Sequence, residues 1–239
     1  MTPIFILHTF VKNKTMTIGQ DFQSYYTKHL GKGSLDLHHY GNQVESSMTP
    51  YILEEREMRA TQIDIFSRLM RDRILWVAGQ VDDRMSTIVQ AQLMFLDNTD
   101  KADIIMHIDS PGGSVKSGLS MVDVMNYIAC DIRTVNTGMA ASMGSVLLGA
   151  GTKGKRSSLK FSRTMLHQSS GGFRGNIQDA EIDMKEWNKI NNVLFELLGG
   201  YCGKSAEQVK IDATRDLWLD SQEALDYGII DEIVKTKKK

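Results

Sequence analysis

Side chains that could perform nucleophilic catalysis are spread along the second half of the chain. Ser142 lies in the uncharged stretch NTGMAASMGSVLLGAG, His167 ends RTMLH, and Asp212, Asp216 and Asp220 lie in IDATRDLWLD. A serine becomes a nucleophile when a histidine takes its proton and a carboxylate orients that histidine. The chain therefore contains the residue types of an acyl-transfer site, which act together only if folding brings them into contact.

The surroundings of Ser142 allow two interpretations. Ala140-x-Ser142-x-Gly144 is close to the G-x-S-x-G nucleophile elbow, with alanine in the first position. Small neighbours would let the backbone turn sharply and would leave the hydroxyl at a helix start, where N–H groups favour developing negative charge. A helix N-cap serine beside small packing residues would have the same local sequence. This segment alone does not distinguish the two.

The base and the orienting acid are equally open. His107 lies inside the apolar stretch IIMHI, which predicts a strand residue packed against helices or an interface. His167 precedes the glycine loop QSSGGFRG, where catalytic groups often lie, although a surface histidine would also fit. The three aspartates are spaced by four residues and could share one helical face, so spacing does not select among them.

A glycine loop, HIDSPGGSV, follows a predicted strand. Pro111-Gly112-Gly113 would form a rigid turn and then a backbone free of side chains. Such a loop can present N–H groups to an oxyanion or to an extended peptide. A tight connection between strand and helix is the alternative.

A second glycine pattern resembles a nucleotide-binding loop. Gly149, Gly151 and Gly154 spell G-x-G-x-x-G, and Gly149 to Lys155 spell most of the phosphate-binding loop G-x-x-x-x-G-K-[ST]. Phosphate binding needs a strand before such a loop and a helix after it. Here a helix is predicted before it and a strand after it, and Arg156 occupies the position of the magnesium-binding serine or threonine. We therefore expect no ATPase activity in this chain.

Apolar periodicity predicts alternating helices and strands. The alternation indicates an α/β fold of βαβ units on a largely parallel, buried sheet. The opening serine stretch is predicted as a loop followed by a helix. The other predicted elements are helices over 63–73, 84–97, 114–129 and 175–202, strands over 74–79, 102–108, 132–137, 156–161 and 163–167, and a closing short helix and strand.

Composition excludes several classes of protein. The 239 residues carry a net charge of −1, which gives no basic field for nucleic acid. Cys130 and Cys202 have no metal or redox spacing and are predicted to be reduced thiols. His38 and His39 lack acidic or thiol partners at metal-binding spacing. Because no apolar run could cross a bilayer and no signal peptide is evident, we expect a cytoplasmic protein with no membrane contact.

The first part of the chain differs from the rest. Residues 1–47 are polar, hold four of the six histidines and show little periodicity, which predicts a poorly ordered or removable leader. Met16 is a possible alternative start. Residues 48–239 are predicted to form the folded domain.

Five stretches resemble the proteolytic subunit of the Clp protease. They are FSRLMRDRILWVAGQVDD, IDSPGGSVKSGLSMVDVM, GMAASMGSVLLGAGTKGKR, RTMLHQSSGG and TRDLWLDSQEALDYGIIDEIV, in family order and spacing over roughly 50–235. The resemblance implies a crotonase-like fold and a Ser–His–Asp peptidase. It implies that Ser142 is the nucleophile, His167 the general base and Asp216 the orienting acid. The N–H groups of Gly113 and Met143 would form the oxyanion hole.

The resemblance also implies partners. Family members form two stacked heptameric rings, with a handle (about 163–202) between the rings. They receive unfolded polypeptide from a separate hexameric AAA+ ATPase, so that ATP is used by the partner and this chain needs no cofactor. The segment TPYILEERE is similar to the axial region that contacts the ATPase. Self-cleavage of the leader is expected near Ser47.

Two departures from the family concern the loop edge and the outer face. Many members have the sequence HQP where this chain has His167-Gln168-Ser169, so a serine stands in place of the proline. This difference predicts that the edge of the loop that pairs with substrate is less rigid in this chain. Ile105, His107 and Thr137 replace aromatic residues that members often carry on the ATPase-binding face, whereas Tyr127 is retained. Two other functions stay open: an acyl-CoA hydratase or isomerase of the same fold, and a catalytically silent scaffold in a mixed ring.

Overall fold

The computed structural model describes residues 51–56, 59–170 and 176–235. The chain divides into two units, 1–65 and 66–239. The predictions for the leader, including His38-His39, Met16 and cleavage near Ser47, lie outside the described residues. The same holds for residues 236–239 at the end of the chain.

The described part of the first unit is a β-hairpin. Its two strands, β1 (Tyr51–Arg56) and β2 (Arg59–Asp64), pair antiparallel, with Tyr51 opposite Asp64. The predicted helix over 63–73 is therefore wrong at its start, because the first of its apolar residues belongs to β2. The helix itself, α1, covers Ile65–Arg71, and Arg73 just beyond it has a left-handed φ of 62°.

The second unit is an α/β domain. Its helices and strands alternate as predicted, with bounds that differ by a few residues at most of the ends. Its elements are β3 (Ile74–Ala78), α2 (Asp83–Thr99), β4 (Ile104–Ser110), α3 (Val115–Tyr127), β5 (Ile132–Ala141), α4 (Met143–Gly149), β6 (Arg156–Ser158), β7 (Arg163–Leu166), α5 (Ile177–Cys202), α6 (Ala206–Asp212), β8 (Leu217–Leu219), α7 (Ser221–Tyr227) and β9 (Glu232–Ile233).

These strands form one mixed sheet around β5. The order is β3-β4-β5-β6-β9 and all of these pairs are parallel. The second half of β5 leaves β6 and pairs parallel with β7, which in turn pairs antiparallel with β8. The carboxyl ends of β4, β5 and β7 consequently lie at one edge of the sheet, where α/β proteins place their ligands.

Burial explains why β5 can divide between two partners. Asn136, at the point of division, is fully buried, and its amide donates to the Arg163 carbonyl at 3.0 Å. Its own amide oxygen accepts the N–H of Gly138 at 3.2 Å. These bonds satisfy polar groups that the change of partner would otherwise leave unpaired in the core.

The core is a single hydrophobic cluster between the sheet and its helices. Along β4, Ile104, Met106 and Ile108 are fully buried and alternate with more exposed residues, as expected for a strand. The helices contribute Leu93, Met121 and Leu147 to the same cluster. This packing fixes the strand ends on which the candidate site is built.

Helix α5 has two different parts. Leu194, Phe195 and Leu198 near its carboxyl end are buried in the core. Ile177 and Ile182 near its amino end are 80% and 64% exposed. The exposed apolar surface of this helix is therefore concentrated in its first part. Within the described residues no helix is both long and apolar enough to cross a bilayer.

The buried guanidinium of Arg156 joins three elements. Its side chain is 1% exposed and forms two bonds with the Asp231 carboxylate, Nε to Oδ2 at 2.8 Å and Nη2 to Oδ1 at 2.6 Å. It also donates to the carbonyls of Tyr201, at the end of α5, and Gly228, after α7. Burial alone would raise the pKa of Asp231, but the hydrogen bonds from Arg156 and from Gly154 lower it below its ordinary value. The pair thus stays ionised.

Replacing Arg156 with methionine is expected to destabilise the fold by about 3–5 kcal/mol. The change leaves the mostly buried Asp231 carboxylate and two carbonyls without their donor. Urea unfolding followed by circular dichroism measures the loss. Lys155→Met is the control, since Lys155 pairs with Asp103 and Asp131 in a partly exposed position and its loss should change stability far less. Equal losses in the two variants would contradict the prediction.

Candidate active site

Ser142 lies on a strained turn between β5 and α4. Its backbone has φ 54° and ψ −122°, a conformation that is uncommon for a residue with a side chain. The turn is fixed because the Ser142 N–H donates to the Met165 carbonyl of β7 at 2.9 Å. Ser142 occupies the N-cap position of α4, yet its hydroxyl makes no capping hydrogen bond there. The geometry therefore does not support the interpretation of Ser142 as a simple helix N-cap.

Strand register brings His167 to Ser142. Ala141, the last residue of β5, pairs in parallel with Met165 of β7, and β7 ends one residue later at Leu166. Ser142 and His167 are therefore the first residues beyond two neighbouring strand ends. Ser142 Oγ lies 2.8 Å from His167 Nε2, a hydrogen-bond distance. This is the contact that a serine nucleophile and its base require.

Antiparallel register brings Asp216 to the other side of the imidazole. Leu166 of β7 pairs with Leu217 of β8. Extending this antiparallel register by one residue places His167, which follows Leu166, opposite Asp216, which precedes Leu217. His167 Nδ1 lies 3.2 Å from Asp216 Oδ1. The Asp216 side chain is 60% exposed and that of His167 is 24% exposed. With its proton on Nδ1, the ring donates to Asp216 and leaves Nε2 to accept from the Ser142 hydroxyl.

The other two aspartates have structural contacts. Asp212 ends α6 and accepts hydrogen bonds from the Tyr227 hydroxyl and the Gln208 amide. Asp220 is the N-cap of α7, where its carboxylate accepts the N–H groups of the first turn in a capping box. The common helical face that the spacing allowed is not formed, because a helix end, a strand and a second helix start separate the three carboxylates.

The glycine loop after β4 lies against the serine turn. Gly112 has φ 91°, and a β-carbon there would lie 2.7 Å from the Ala141 carbonyl oxygen and 2.8 Å from Met143 N. Gly113 has φ 151°, and a β-carbon would collide with the Val81 carbonyl. Both positions therefore require glycine. The close approach places the loop backbone directly beside Ser142.

Two backbone N–H groups near Ser142, those of Gly113 and Met143, have no hydrogen-bond partner in the part of the chain that the structure describes. Val81 donates to the Gly112 carbonyl and accepts from Ser114, so that the N–H of Gly113 points away from Val81. No hydrogen bond of the Gly113 N–H exists among the described residues. Met143 is the first residue of α4, where an N–H has no acceptor within its own helix. Such donors can stabilise an oxyanion.

Other sequence candidates lie away from these residues. His107 on β4 stacks on Trp76 of β3, with ring centroids 4.8 Å apart, as a packed strand residue. Burial lowers the pKa of His107, and its Nδ1 is buried without a partner among the described residues. Gly149 ends α4 and β6 begins at Arg156, so the G-x-G-x-x-G pattern joins a helix to a strand, as predicted. Cys130 and Cys202 are free thiols.

Metal chemistry finds no support in the described part of the chain. There, no three residues of the types His, Cys, Asp or Glu are grouped so that they could hold a metal ion. The arrangement around Ser142 instead brings together a hydroxyl, an imidazole, a carboxylate and two N–H donors. Short as it is, β8 is the element that sequence reasoning missed at this site, and it is the one that places Asp216.

Comparison with known proteins points to one family. The family model described as Clp protease matches residues 55–237. A protein of Porphyromonas gingivalis (strain ATCC BAA-308 / W83) named ATP-dependent Clp protease proteolytic subunit is 45% identical over 220 residues, 92% of this chain and 99% of the relative. A protein of the same name from Bacteroides fragilis (strain YCH46) is 47% identical over 218 residues, 91% of this chain and 99% of the relative.

Proposed function

The chain belongs to the Clp protease family, and we propose that Ser142, His167 and Asp216 are its catalytic nucleophile, general base and orienting acid. As a member of this family, the chain is a serine-type endopeptidase, the proteolytic subunit of an ATP-dependent protease. Its largely parallel sheet with flanking helices agrees with the family fold. The observation that carries the proposal is the 2.8 Å contact between Ser142 Oγ and His167 Nε2 on a turn with positive φ.

The proposed mechanism is acyl transfer. Ser142 Oγ attacks the carbonyl carbon of a peptide bond while His167 Nε2 takes the hydroxyl proton. Asp216 stabilises the imidazolium that forms. The N–H groups of Gly113 and Met143 bind the oxygen that becomes negative. His167 then gives its proton to the departing amine, and water releases the acyl group from Ser142 by the same steps.

A hydratase or isomerase acting on a thioester would need a free acidic group at the glycine loops. Asp109, the last residue but one of β4, is the acidic residue nearest in sequence to the Pro111-Gly112-Gly113 loop. Its carboxylate accepts the N–H of Met139 and lies against Gly138, where a β-carbon would be 2.6 Å from it. Asp109 is therefore occupied by β5, where that strand passes from β6 to β7. The serine and histidine contact favours the peptidase.

The partners are proposed from the family and from surface features. The name of the relatives includes ATP-dependent, and we expect a separate hexameric AAA+ ATPase to deliver unfolded polypeptide and to use the ATP. We further expect two stacked heptameric rings in the cytoplasm, with no cofactor in this chain. The exposed Ile177, Ile182 and Met184 of α5 offer apolar surface for contacts between rings.

Labelling with a fluorophosphonate tests the catalytic proposal. The probe should form a bond between its phosphorus and Ser142 Oγ, with loss of fluoride and transfer of the hydroxyl proton to His167. We expect one label per wild-type chain, located at Ser142 by mass spectrometry. Labelling should be slower by at least about 10²-fold in His167→Ala, because general-base catalysis contributes about 10²–10⁴-fold.

His107→Ala is the matched control, since His107 lies on β4 in contact with Trp76 rather than with Ser142. It should label at the wild-type rate. An assembled wild-type protein that resists the probe would contradict the proposed roles, and equal rates in the two histidine variants would exclude His167 as the base.

A further inference from the structure

The two residues after His167 are anchored on opposite sides. Gln168 donates its backbone N–H to the Ala213 carbonyl at 3.1 Å, just before the segment that carries Asp216. Ser169 donates its N–H and its hydroxyl to Oδ1 of Asn191, at 3.1 Å and 3.0 Å. The segment leaving the imidazole is thus held between the Asp216 segment and α5.

Asn191 lies beside the part of α5 that packs into the core. The two turns that follow it contain Leu194, Phe195 and Leu198, all of which are buried. One side-chain amide oxygen has two lone pairs, and here both are used by Ser169. The contact is therefore an internal one from a fixed helix to the loop, and Oδ1 has no further capacity for a substrate.

We propose that Asn191 is a positioning residue for catalysis, which acts through Ser169 to hold His167 in line with Ser142. The inference rests on the proposed role of His167 as the general base. The 2.8 Å contact to Ser142 and the 3.2 Å contact to Asp216 both depend on the direction of the imidazole. Strand β7 ends at Leu166, so pairing in the sheet fixes the chain only up to the residue before the base. The hydrogen bonds of Gln168 and Ser169 fix the chain after His167.

The contact between Ser169 and Asn191 also bears on the prediction that the loop edge at Gln168-Ser169 is less rigid than in family members with a proline. A proline at position 169 would restrict φ and would have no N–H to satisfy. Ser169 in this chain has an N–H and a hydroxyl, and both donate hydrogen bonds to Asn191 Oδ1. Side-chain hydrogen bonding thereby replaces the restriction that a proline would impose on the backbone.

The rate of fluorophosphonate labelling of Ser142 tests this role, because the probe has no peptide chain that could pair with the loop. Asn191→Ala should label about 5- to 20-fold more slowly, since small displacements of a catalytic group cost up to about 10²-fold in rate. The final extent of labelling should stay at one per chain, because the fold is intact. The midpoint of the pH profile should not move, since Ser169 and Asn191 carry no charge.

Three variants serve as controls. Asn191→Asp keeps an oxygen that accepts both bonds and should label near the wild-type rate on the alkaline plateau. Asn192→Ala removes the neighbouring exposed amide and should also label like the wild type. Ser169→Pro combined with Asn191→Ala should recover at least half of the lost rate, because proline leaves no N–H without an acceptor.

The outcomes separate the inference from the proposed function. If the wild-type protein does not label, the role of Ser142 and His167 is wrong. If the wild type labels and Asn191→Ala labels equally fast, the positioning role is wrong. It is also wrong if Asn191→Asp is as slow as Asn191→Ala, or if the slow variants reach a lower final extent that accounts for the whole difference, as partial unfolding would cause.

Discussion

Replacement of Ser142 by alanine is expected to abolish peptide hydrolysis and to leave the fold unchanged. The expected loss is about 10⁴–10⁶-fold in kcat, because losing the nucleophile removes the acyl-enzyme route entirely. The hydroxyl makes no capping bond, so its removal leaves α4 intact. Alanine and serine have similar difficulty at a φ of 54°, and the Ser142 N–H can still donate to Met165. Hydrolysis of a fluorogenic peptide measures the loss.

Ser145→Ala is the control for Ser142→Ala. Ser145 is a buried serine three residues further on, and its hydroxyl donates to the Ser142 carbonyl at 2.7 Å. Its loss removes one hydrogen bond, about 1 kcal/mol of stability, without touching the nucleophile. Activity above 10% of the wild-type value in Ser142→Ala, in protein free of wild-type chains, would refute the assignment.

Replacement of Asp216 by asparagine is expected to lower kcat by about 10³-fold. An asparagine amide that donates towards Nδ1 would favour the tautomer with its proton on Nε2, which cannot accept the Ser142 hydroxyl. Because the Asp216 side chain is 60% exposed, water replaces part of the lost interaction. We therefore expect an effect below the full 10⁴-fold seen when such a carboxylate is buried. KM for a short peptide should change little.

Asp212→Asn is the matched control, since Asp212 lies in the same stretch but accepts from Tyr227 and Gln208. An asparagine oxygen can accept the Tyr227 hydroxyl, so activity should stay within about 3-fold of the wild type. A result in which Asp212→Asn is the more damaging of the two would mean that Asp216 is not the orienting residue.

The sequence predicted the α/β alternation of the second unit but not the strand ends at the site. β5 was expected to stop at residue 137 and continues to Ala141. Gly138, Ala140 and Ala141 have little preference for strands. Their extended conformation depends on pairing with β7 and on the Asp109 carboxylate, which accepts the Met139 N–H. These contacts are long-range and cannot be read from a local pattern.

The choice of Asp216 as the proposed orienting acid also depends on long-range contacts that a local pattern does not show. A spacing of four residues suggested one helical face for Asp212, Asp216 and Asp220, and only the family resemblance selected Asp216. The physical selection is made by β8, a strand of three residues with no alternating pattern of its own. Its antiparallel pairing with β7 decides which carboxylate meets His167. The contact of Asn191 with Ser169 gives no signal in the sequence either, since Asn191 is one of many polar residues on α5.

The hairpin of the first unit was missed for a related reason. Ile63 and Ile65 belong to a run of apolar residues that fits a helix as well as a strand. Pairing with β1 decides the conformation up to Asp64, and the helix begins at the next residue. Local periodicity was correct for α1 and wrong for the two residues just before it, Ile63 and Asp64.

The dependence of the site on β8 also has a consequence for biosynthesis. Ser142 and His167 are translated well before Asp216, and β7 has no antiparallel partner until residues 217–219 exist. At about 5–20 residues per second, the 49 residues from 167 to 216 take about 2–10 s to add. During that time a nascent chain carries the proposed nucleophile and base without the carboxylate proposed to orient them. On this assignment, we expect a chain that ends before residue 216 to be a weak peptidase at most.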